Sequence, residues 1–217
     1  MSIRSKSDLA DHYDLMSTIY HESGHVIYIL LNLLKVRKVY VYQNEEKRSE
    51  GFTYYNLPDA FNFSNTGILL FIMNLEICIK YAGLIAEKYH FETISGCNRF
   101  PIFLRDGSSD DILSVTKIFK QYNFVPPGKK RYLYKKKLIK FTLDKLQLQW
   151  DDVVLIAHKL FQKRKLSFQY LKKILTTKSE NKEFWKNQFK IIEFINKNCS
   201  KIDEKKYSLI LTKCGLM

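Results

Sequence analysis

The stretch YHESGH, residues 20 to 25, places the tightest constraint on how this chain can fold. It stands directly before the apolar run VIYILL, and this pattern predicts a helix in which His21 and His25 lie one turn apart on one face. Both imidazoles can then reach one metal ion, at Zn–N distances of about 2.0 to 2.1 Å. Gly24 costs such a helix about 1 kcal/mol relative to alanine. We therefore expect a second element to approach the helix closely at that glycine.

Glu22 adds a carboxylate next to the first histidine. A metal ion lowers the pKa of water towards ~7, and a carboxylate can take the proton as the water attacks a carbonyl group. The alternative is a helix with two ordinary half-buried histidines, because a His-Glu-x-x-His match arises by chance in roughly one chain of this size per hundred or two. A third ligand would favour the metal site over two ordinary histidines, since catalytic zinc has three protein ligands and one open position.

The composition predicts one substantial folded domain, with or without an appendage. The chain has 217 residues, 46% hydrophobic and 14% aromatic, and this excludes a disordered protein. Its four cysteines form no CxxC pair, so we expect neither a cysteine zinc site nor a disulfide framework, and a reducing cytoplasm as the location. No secretory pattern is present at the N-terminus. The most apolar stretch, residues 66 to 79, contains Glu76 and is predicted to be a buried core helix rather than a transmembrane segment.

The net charge of +14 is unevenly distributed. Residues 1 to 116 hold 11 Lys/Arg and 14 Asp/Glu, whereas residues 117 to 217 hold 25 and 8. Such asymmetry can indicate an acidic partner, a nucleic acid or an anionic membrane surface. The basic residues alternate with predicted core positions, and aromatic platforms for base stacking are not obvious. We therefore favour a solvated helical surface and do not expect a nucleic-acid partner.

The hydrophobic periodicity predicts a mainly α fold of the α+β class with one small β-hairpin. Helices are expected from Ser7 to about Leu34, from Asn65 or Thr66 to about Phe91, and from a cap at Ser108 or Ser109 through DDILSVTKIFKQY. The hairpin consists of VRKVYVY (36 to 42), a polar turn and FTYY (52 to 55). Beyond Pro126-Pro127-Gly128 the pattern is entirely helical, with Ser167 predicted to cap a short helix, FQYLKKIL.

Four stretches, in the same order, resemble the peptidase domain of FtsH, the membrane-anchored ATP-dependent zinc protease family. YHESGHVI resembles its zinc motif, and VRKVYVY with the glycine-led FTYY resembles its strand and return strand. AGLIAEKYHF (82 to 91) resembles Gly-Gly-Arg-x-Ala-Glu-Glu, and GSSDDILSVTKI (107 to 118) resembles Gly-Ala-x-Asn-Asp-Leu-x-x-Ala-Thr. The matching positions are Gly83, Ala86, Glu87, Gly107, Asp111 and Thr116.

The resemblance implies a zincin-like helical peptidase domain over residues 1 to 178, with a basic helical part from about 129. Residues 179 to 217 would then be a C-terminal helical extension of unknown role. The resemblance also implies zinc as the cofactor, bound by His21, His25 and Asp111, with Glu22 as the general base.

Asp111 and Glu87 each have an alternative interpretation. Asp110 is the fallback third ligand if the register slips by one, and Asp111 could instead simply cap its helix. Glu87 is interpreted as a group behind the ligands that orients a histidine. The alternative for Glu87 is an ordinary buried salt-bridge partner.

The chain also departs from the family. It contains no GxxxxGK[ST] phosphate loop, no transmembrane anchor precedes the motif, and Leu84 and Lys88 replace the family's arginine and second glutamate. We therefore predict a stand-alone zinc metalloendopeptidase without its own ATPase, which cleaves unfolded or flexible polypeptides unless a separate ATPase or a homo-oligomer delivers other substrates. The exposed edge of VRKVYVY is expected to take the peptide by strand addition. The alternative is a non-catalytic metal-binding interaction or regulatory module.

Overall fold

The computed structural model describes residues 6–46, 48–56, 66–95, 109–122 and 124–198, together with residues 209 and 212. The helices in these ranges are α1 (Lys6–Leu31), α2 (Thr66–Ser95), α3 (Ser109–Tyr122), α4 (Lys129–Gln147), α5 (Trp150–Lys163), α6 (Phe168–Lys178) and α7 (Lys182–Asn198). The strands are β1 (Lys35–Gln43), β2 (Ser49–Asn56) and β3 (Lys165–Ser167). The predicted mainly α fold of the α+β class is confirmed. The proposed starts at Ser108 and Asn65 lie outside the described residues.

α1 is the central helix, and every residue from Ile19 to Leu30 is buried. Val26 and Ile27 join a core that also contains apolar side chains of β1, α5, α6 and α7. A helix surrounded by other elements can be buried on all its faces. The histidines and the glutamate of the HESGH motif are therefore buried polar groups that need partners.

α1 ends at Leu31, three residues before the predicted end. Leu33 adopts a left-handed conformation with φ 61°, which turns the chain out of the helix and into β1. The Asn32 side chain donates a hydrogen bond to the Tyr28 carbonyl oxygen at 2.7 Å, and Gln188 of α7 donates to the Leu31 carbonyl oxygen at 3.0 Å. These donors satisfy carbonyl groups that the end of a helix leaves without partners.

The sheet is antiparallel, with the strand order β2-β1-β3. Tyr40 of β1 lies opposite Phe52 on one side and Lys165 on the other. The prediction of an exposed edge on β1 is therefore wrong, because β3 pairs with β1 across from β2. β3 was not predicted, since it has only three residues and directly follows α5, which ends where Arg164 takes φ 60°. Within the described chain, the outer edges of β2 and β3 have no partner strand, and that of β2 is the longer one.

α2 connects the central helix to α3. It crosses α1 so closely at Gly24 that an added Cβ would contact the Ala82 carbonyl oxygen and lie 2.5 Å from Ala86 Cβ. The expected close approach at this glycine is confirmed. On its other side α2 forms a second apolar cluster with α3, in which the buried residues are Met73, Ile77, Tyr81, Val115, Ile118 and Phe119.

α2 is also long and apolar enough, from Gly67 to Thr93, to cross a membrane when only length and composition are considered. Half of its most apolar window is buried inside the fold. Length and composition alone do not distinguish a buried core helix from a membrane span. A core helix packed between α1 and α3 must be apolar on both contact faces, so it passes the same test.

The predicted extension contributes α7 to the same core. Trp185 and Phe189 are fully buried and belong to the apolar cluster that surrounds α1. The indole Nε1 of Trp185 donates a hydrogen bond to Asp152 on α5 at 2.8 Å. Apart from Leu209 and Thr212, residues 199 to 217 lie outside the described residues. In the described part, residues 182 to 198 are thus an integral layer of the fold.

Candidate metal centre

The two histidines of the HESGH motif lie side by side inside the protein. Their exposed fractions are 8% for His21 and 7% for His25. Their Nε2 atoms are 3.0 Å apart, and their ring planes are inclined by 86°. One turn of α1 thus brings two ring nitrogens to one point, as the spacing predicts.

The opposite nitrogen of each ring faces a hydrogen-bond acceptor. His25 Nδ1 is 2.7 Å from the Ile79 carbonyl oxygen, and His21 Nδ1 is 3.2 Å from Glu87 Oε2. A carbonyl oxygen can only accept, as can an ionised carboxylate, so each Nδ1 carries the hydrogen and donates it. In the neutral imidazoles, both Nε2 atoms therefore present bare lone pairs.

Asp111 brings a carboxylate oxygen to the same point from the first turn of α3. Its Oδ2 atom is 3.0 Å from His21 Nε2 and 3.1 Å from His25 Nε2. Its Oδ1 atom forms an ion pair with Lys80 Nζ at 2.9 Å. The side chain of Asp110 is exposed, whereas that of Asp111 is buried. In this fold Asp111, and not its fallback Asp110, faces the two histidines.

The three facing atoms form a nearly equilateral triangle with sides of 3.0, 3.0 and 3.1 Å. Ligand atoms bound to tetrahedral zinc at about 2.0 to 2.1 Å are about 3.3 Å apart. A small divalent cation therefore fits against this triangle with minor adjustment and retains a fourth position. Two imidazoles and one carboxylate are also a ligand set that zinc uses at catalytic sites.

The electrostatics of the centre favour a positive charge at this point. Burial lowers the pKa of His21, but hydrogen bonds to Asp111 and Glu87 and the nearby Glu22 carboxylate outweigh it and raise that pKa to about 10. Burial raises the pKa of Asp111, but its contacts with the two histidines hold it well below the usual range. A proton or a cation is thus needed to separate the three electron-rich atoms.

Glu22 is buried between α1 and β2 and directs its carboxylate towards the histidines. One of its oxygens lies within 4.8 Å of their ring nitrogens. Thr53 donates its hydroxyl hydrogen to Oε2 at 2.6 Å. A Cβ at Gly51 would lie 2.5 Å from Glu22 Cγ and 2.7 Å from Oε1, so only glycine leaves room for this side chain. The remaining oxygen can accept a proton from a water molecule next to the triangle.

Glu87 lies behind His21 on the side away from the triangle. It is 3% exposed, and Ser17 donates a hydrogen bond to its Oε1 atom at 2.5 Å while His21 donates to Oε2. Two donors from α1 therefore hold the carboxylate, and the carboxylate in turn orients the imidazole. The contact is the one that the predicted orienting role of Glu87 requires, and the role itself stays a prediction.

Gly83 lies directly against the two imidazoles. A Cβ at this position would be 2.6 Å from His21 Nε2 and 2.7 Å from His25 Nε2. Real Cβ atoms do not approach other heavy atoms so closely. Because Gly83 has no side chain, it leaves open the space that the Nε2 atoms of His21 and His25 occupy.

The structure brings together His21, Glu22, His25, Glu87 and Asp111. Gly107 lies outside the described residues, and Thr116 bonds its own helix at the Ile112 carbonyl oxygen. Three further residues that contact the site were not predicted from the sequence: Ser17, Thr53 and Lys80. A signal existed for Lys80, because it is one of few charged residues in the apolar stretch of α2.

Comparisons with known proteins add no assignment. No protein-family model matches the sequence, and no curated protein matches it. The resemblance to FtsH-type peptidase domains therefore stays a prediction.

Proposed function

We propose that this protein is a zinc-dependent metallopeptidase. His21, His25 and Asp111 would bind the ion, and Glu22 would be the general base. The observation that supports this most directly is the triangle of two bare imidazole nitrogens and one carboxylate oxygen, with sides of 3.0 to 3.1 Å. Three acceptor atoms this close together inside a protein need a proton or a cation between them, and a metal ion would satisfy all three at once.

The roles of the side chains follow from their positions. A zinc ion held by His21, His25 and Asp111 would supply Lewis acidity, which would polarise the scissile carbonyl group and favour ionisation of an attacking water. Glu22 accepts the proton of that water and then donates it to the leaving amine. Thr53 holds one Glu22 oxygen at 2.6 Å, which leaves the other oxygen for this transfer. Glu87 and the Ile79 carbonyl keep each imidazole in the tautomer that exposes Nε2.

The position of β2 supports an extended polypeptide as the substrate. Gly51 and Thr53 of β2 contact Glu22, so this strand runs directly along the proposed catalytic group. Its outer edge has no partner strand within the described residues. An unfolded chain can add to that edge through backbone hydrogen bonds. Folded substrates would need a separate ATPase, or an assembly of this chain, to expose such segments.

The relation to the FtsH-type peptidase domain is part of this proposal. Its support is that the matched stretches, distant in sequence, contribute the groups of one site: His21 and His25 from α1, Gly83 and Glu87 from α2, and Asp111 from α3. If the matches were accidental, there would be no reason for these distant stretches to lie next to one another in the fold.

Cleavage of an unfolded protein tests the proposal. The substrate is a reduced, alkylated and fluorescently labelled polypeptide, and the enzyme is compared with its Glu22→Gln variant. We expect the variant to bind zinc normally and to cleave about 10²- to 10⁴-fold more slowly, since it lacks the base. Glu92→Gln, the same change at an exposed position of α2, is the matched control and should leave the rate unchanged.

Equal rates for the enzyme and its Glu22→Gln variant would overturn the catalytic proposal. Stoichiometric zinc without hydrolysis of any unfolded substrate would favour the non-catalytic metal-binding module instead. A His21→Ala variant that retains full zinc content would overturn both, whereas exposed His158 serves as the control for histidine replacement.

A further inference from the structure

A lysine outside the HESGH motif contacts the candidate metal centre. Lys80 lies on α2, three residues before Gly83, and its Nζ atom is 2.9 Å from Asp111 Oδ1. The other oxygen of the same carboxylate, Oδ2, faces His21 and His25 at 3.0 and 3.1 Å. The two oxygens of Asp111 therefore have different partners.

We propose that Lys80 is a positioning residue that keeps Asp111 a one-oxygen metal ligand. Carboxylates bind metal ions through one oxygen or through both. The ammonium group holds Oδ1 in a charge-assisted hydrogen bond, which is about twice as strong as a neutral one. Oδ1 is thus kept away from the ion, and the fourth coordination position stays free.

Lys80 also balances charge in the buried centre. Asp111, Glu22 and Glu87 supply three carboxylates, each with a residue exposure of 7% or less. A divalent cation and the Lys80 ammonium together carry an equal positive charge. The Lys80 side chain is 28% exposed, so its ion pair with Asp111 is partly shielded from water and from salt.

Another lysine of the same helix provides the contrast. Lys88 pairs with Glu92 at 3.5 Å, and both side chains are exposed, at 56% and 38%. Such surface pairs contribute little. Lys88→Met is therefore the matched control for Lys80→Met, because it removes the same charge from the same helix without touching the centre.

The test replaces zinc with Co²⁺, whose visible absorption is intense with four ligands and weak with five or six. In the Lys80→Met protein we expect Asp111 to bind through both oxygens, so the absorption should fall severalfold. Zinc affinity, measured by competition with a chelator, should fall about 10- to 100-fold. Lys80→Arg should largely restore both values, and Lys88→Met should change neither.

The inference rests on the metal site of the proposed function and not on its hydrolytic step. An unchanged cobalt spectrum and unchanged zinc affinity in correctly folded Lys80→Met protein would overturn it, even if the enzyme cleaves substrates. Loss of cleavage alone in that variant, with both metal readouts unchanged, would overturn it as well. Failure of the unaltered protein to bind Co²⁺ or zinc would overturn this inference and the proposed function together.

Discussion

Two helices of this protein have an Asp-Asp dipeptide immediately after their first residue, and the two pairs have different surroundings. Asp110-Asp111 lies in the first turn of α3, and Asp151-Asp152 lies in the first turn of α5. In each pair the first aspartate is exposed and the second is buried. Asp152 accepts a hydrogen bond from Trp185 Nε1 at 2.8 Å, whereas Asp111 faces two imidazole nitrogens and Lys80.

The two buried aspartates differ in whether the neighbouring nitrogen atoms have a hydrogen to donate to them. The indole N–H of Trp185 can only donate, so its bond to Asp152 is complete and attaches α7 to α5. The Nδ1 hydrogens of the two histidines are donated to Ile79 and Glu87, so a neutral ring has no hydrogen on Nε2 for Asp111. The buried aspartate of α5 thus has a permanent donor, whereas that of α3 needs a proton or a cation between its oxygen and the two imidazoles.

Removal of the Asp111 carboxylate should have the largest effect. We expect Asp111→Asn to lower zinc affinity more than about 100-fold, beyond the range for residues that only support a ligand. Asp110→Asn, its exposed neighbour, should bind zinc normally. Chelator competition measures both, and a larger loss in Asp110→Asn would mean that the register of α3 is shifted by one residue.

A methyl group at Gly83 should have the next largest effect. Its Cβ would lie 2.6 to 2.7 Å from the two ring nitrogens, and hydrogen bonds on the far side of each ring resist a shift. We expect Gly83→Ala to lower zinc affinity about 10- to 100-fold, as for other disturbances behind a ligand. Its thermal melting without metal serves as the control for folding. Unchanged affinity would show that the rings adapt freely.

Asp152→Ala should lower stability without changing metal binding. It leaves the buried Trp185 N–H without an acceptor, which costs about 1 to 3 kcal/mol in the free energy of unfolding. Asp151→Ala controls for the loss of an acidic residue from the first turn, which is worth about 0.3 to 1 kcal/mol. Urea denaturation measures both. Equal losses in the two variants would contradict the role of the Trp185 hydrogen bond.

His90 extends the comparison to a buried histidine that packs against a ring instead of a carboxylate, and its effect should be the smallest. Its ring stacks on Tyr20 with centroids 3.5 Å apart, and burial lowers its pKa to about 4. The unfolded chain, with a pKa of about 6.5, therefore binds more protons between these values. The stability from the neutral ring is present above pH ~6.5 and is lost as the pH falls towards 4.

His90→Phe keeps an aromatic ring on Tyr20 and removes this titration. The melting temperature of metal-free protein should then fall less steeply between pH 7 and pH 4.5. His158→Phe, at an exposed position of α5, should keep the original pH profile. A profile of His90→Phe identical to that of the unaltered protein would exclude His90 as a source of acid sensitivity.

Much of the fold was predictable because it depends on local pattern. The hairpin was predicted within a few residues of β1 and β2, and Ser167 caps α6 by accepting a hydrogen bond from the Tyr170 amide at 3.3 Å, as expected. The three-residue strand β3 was not predictable, since so short a segment has no periodicity of its own. The central position of β1 in the sheet depends on β3, and it was therefore missed as well.

The amino-acid sequence alone determined that His21 and His25 share one face of a helix, because the helical repeat fixes the positions of residues four apart. The resemblance added Asp111 as a predicted ligand, and only the tertiary structure decided which atoms surround it. The meeting of α1, α2, α3 and β2 depends on close packing at Gly24, Gly51 and Gly83, where a methyl group would collide with a neighbour. Lys80 and Thr53 reach the site through that packing, and no spacing along the chain specifies it.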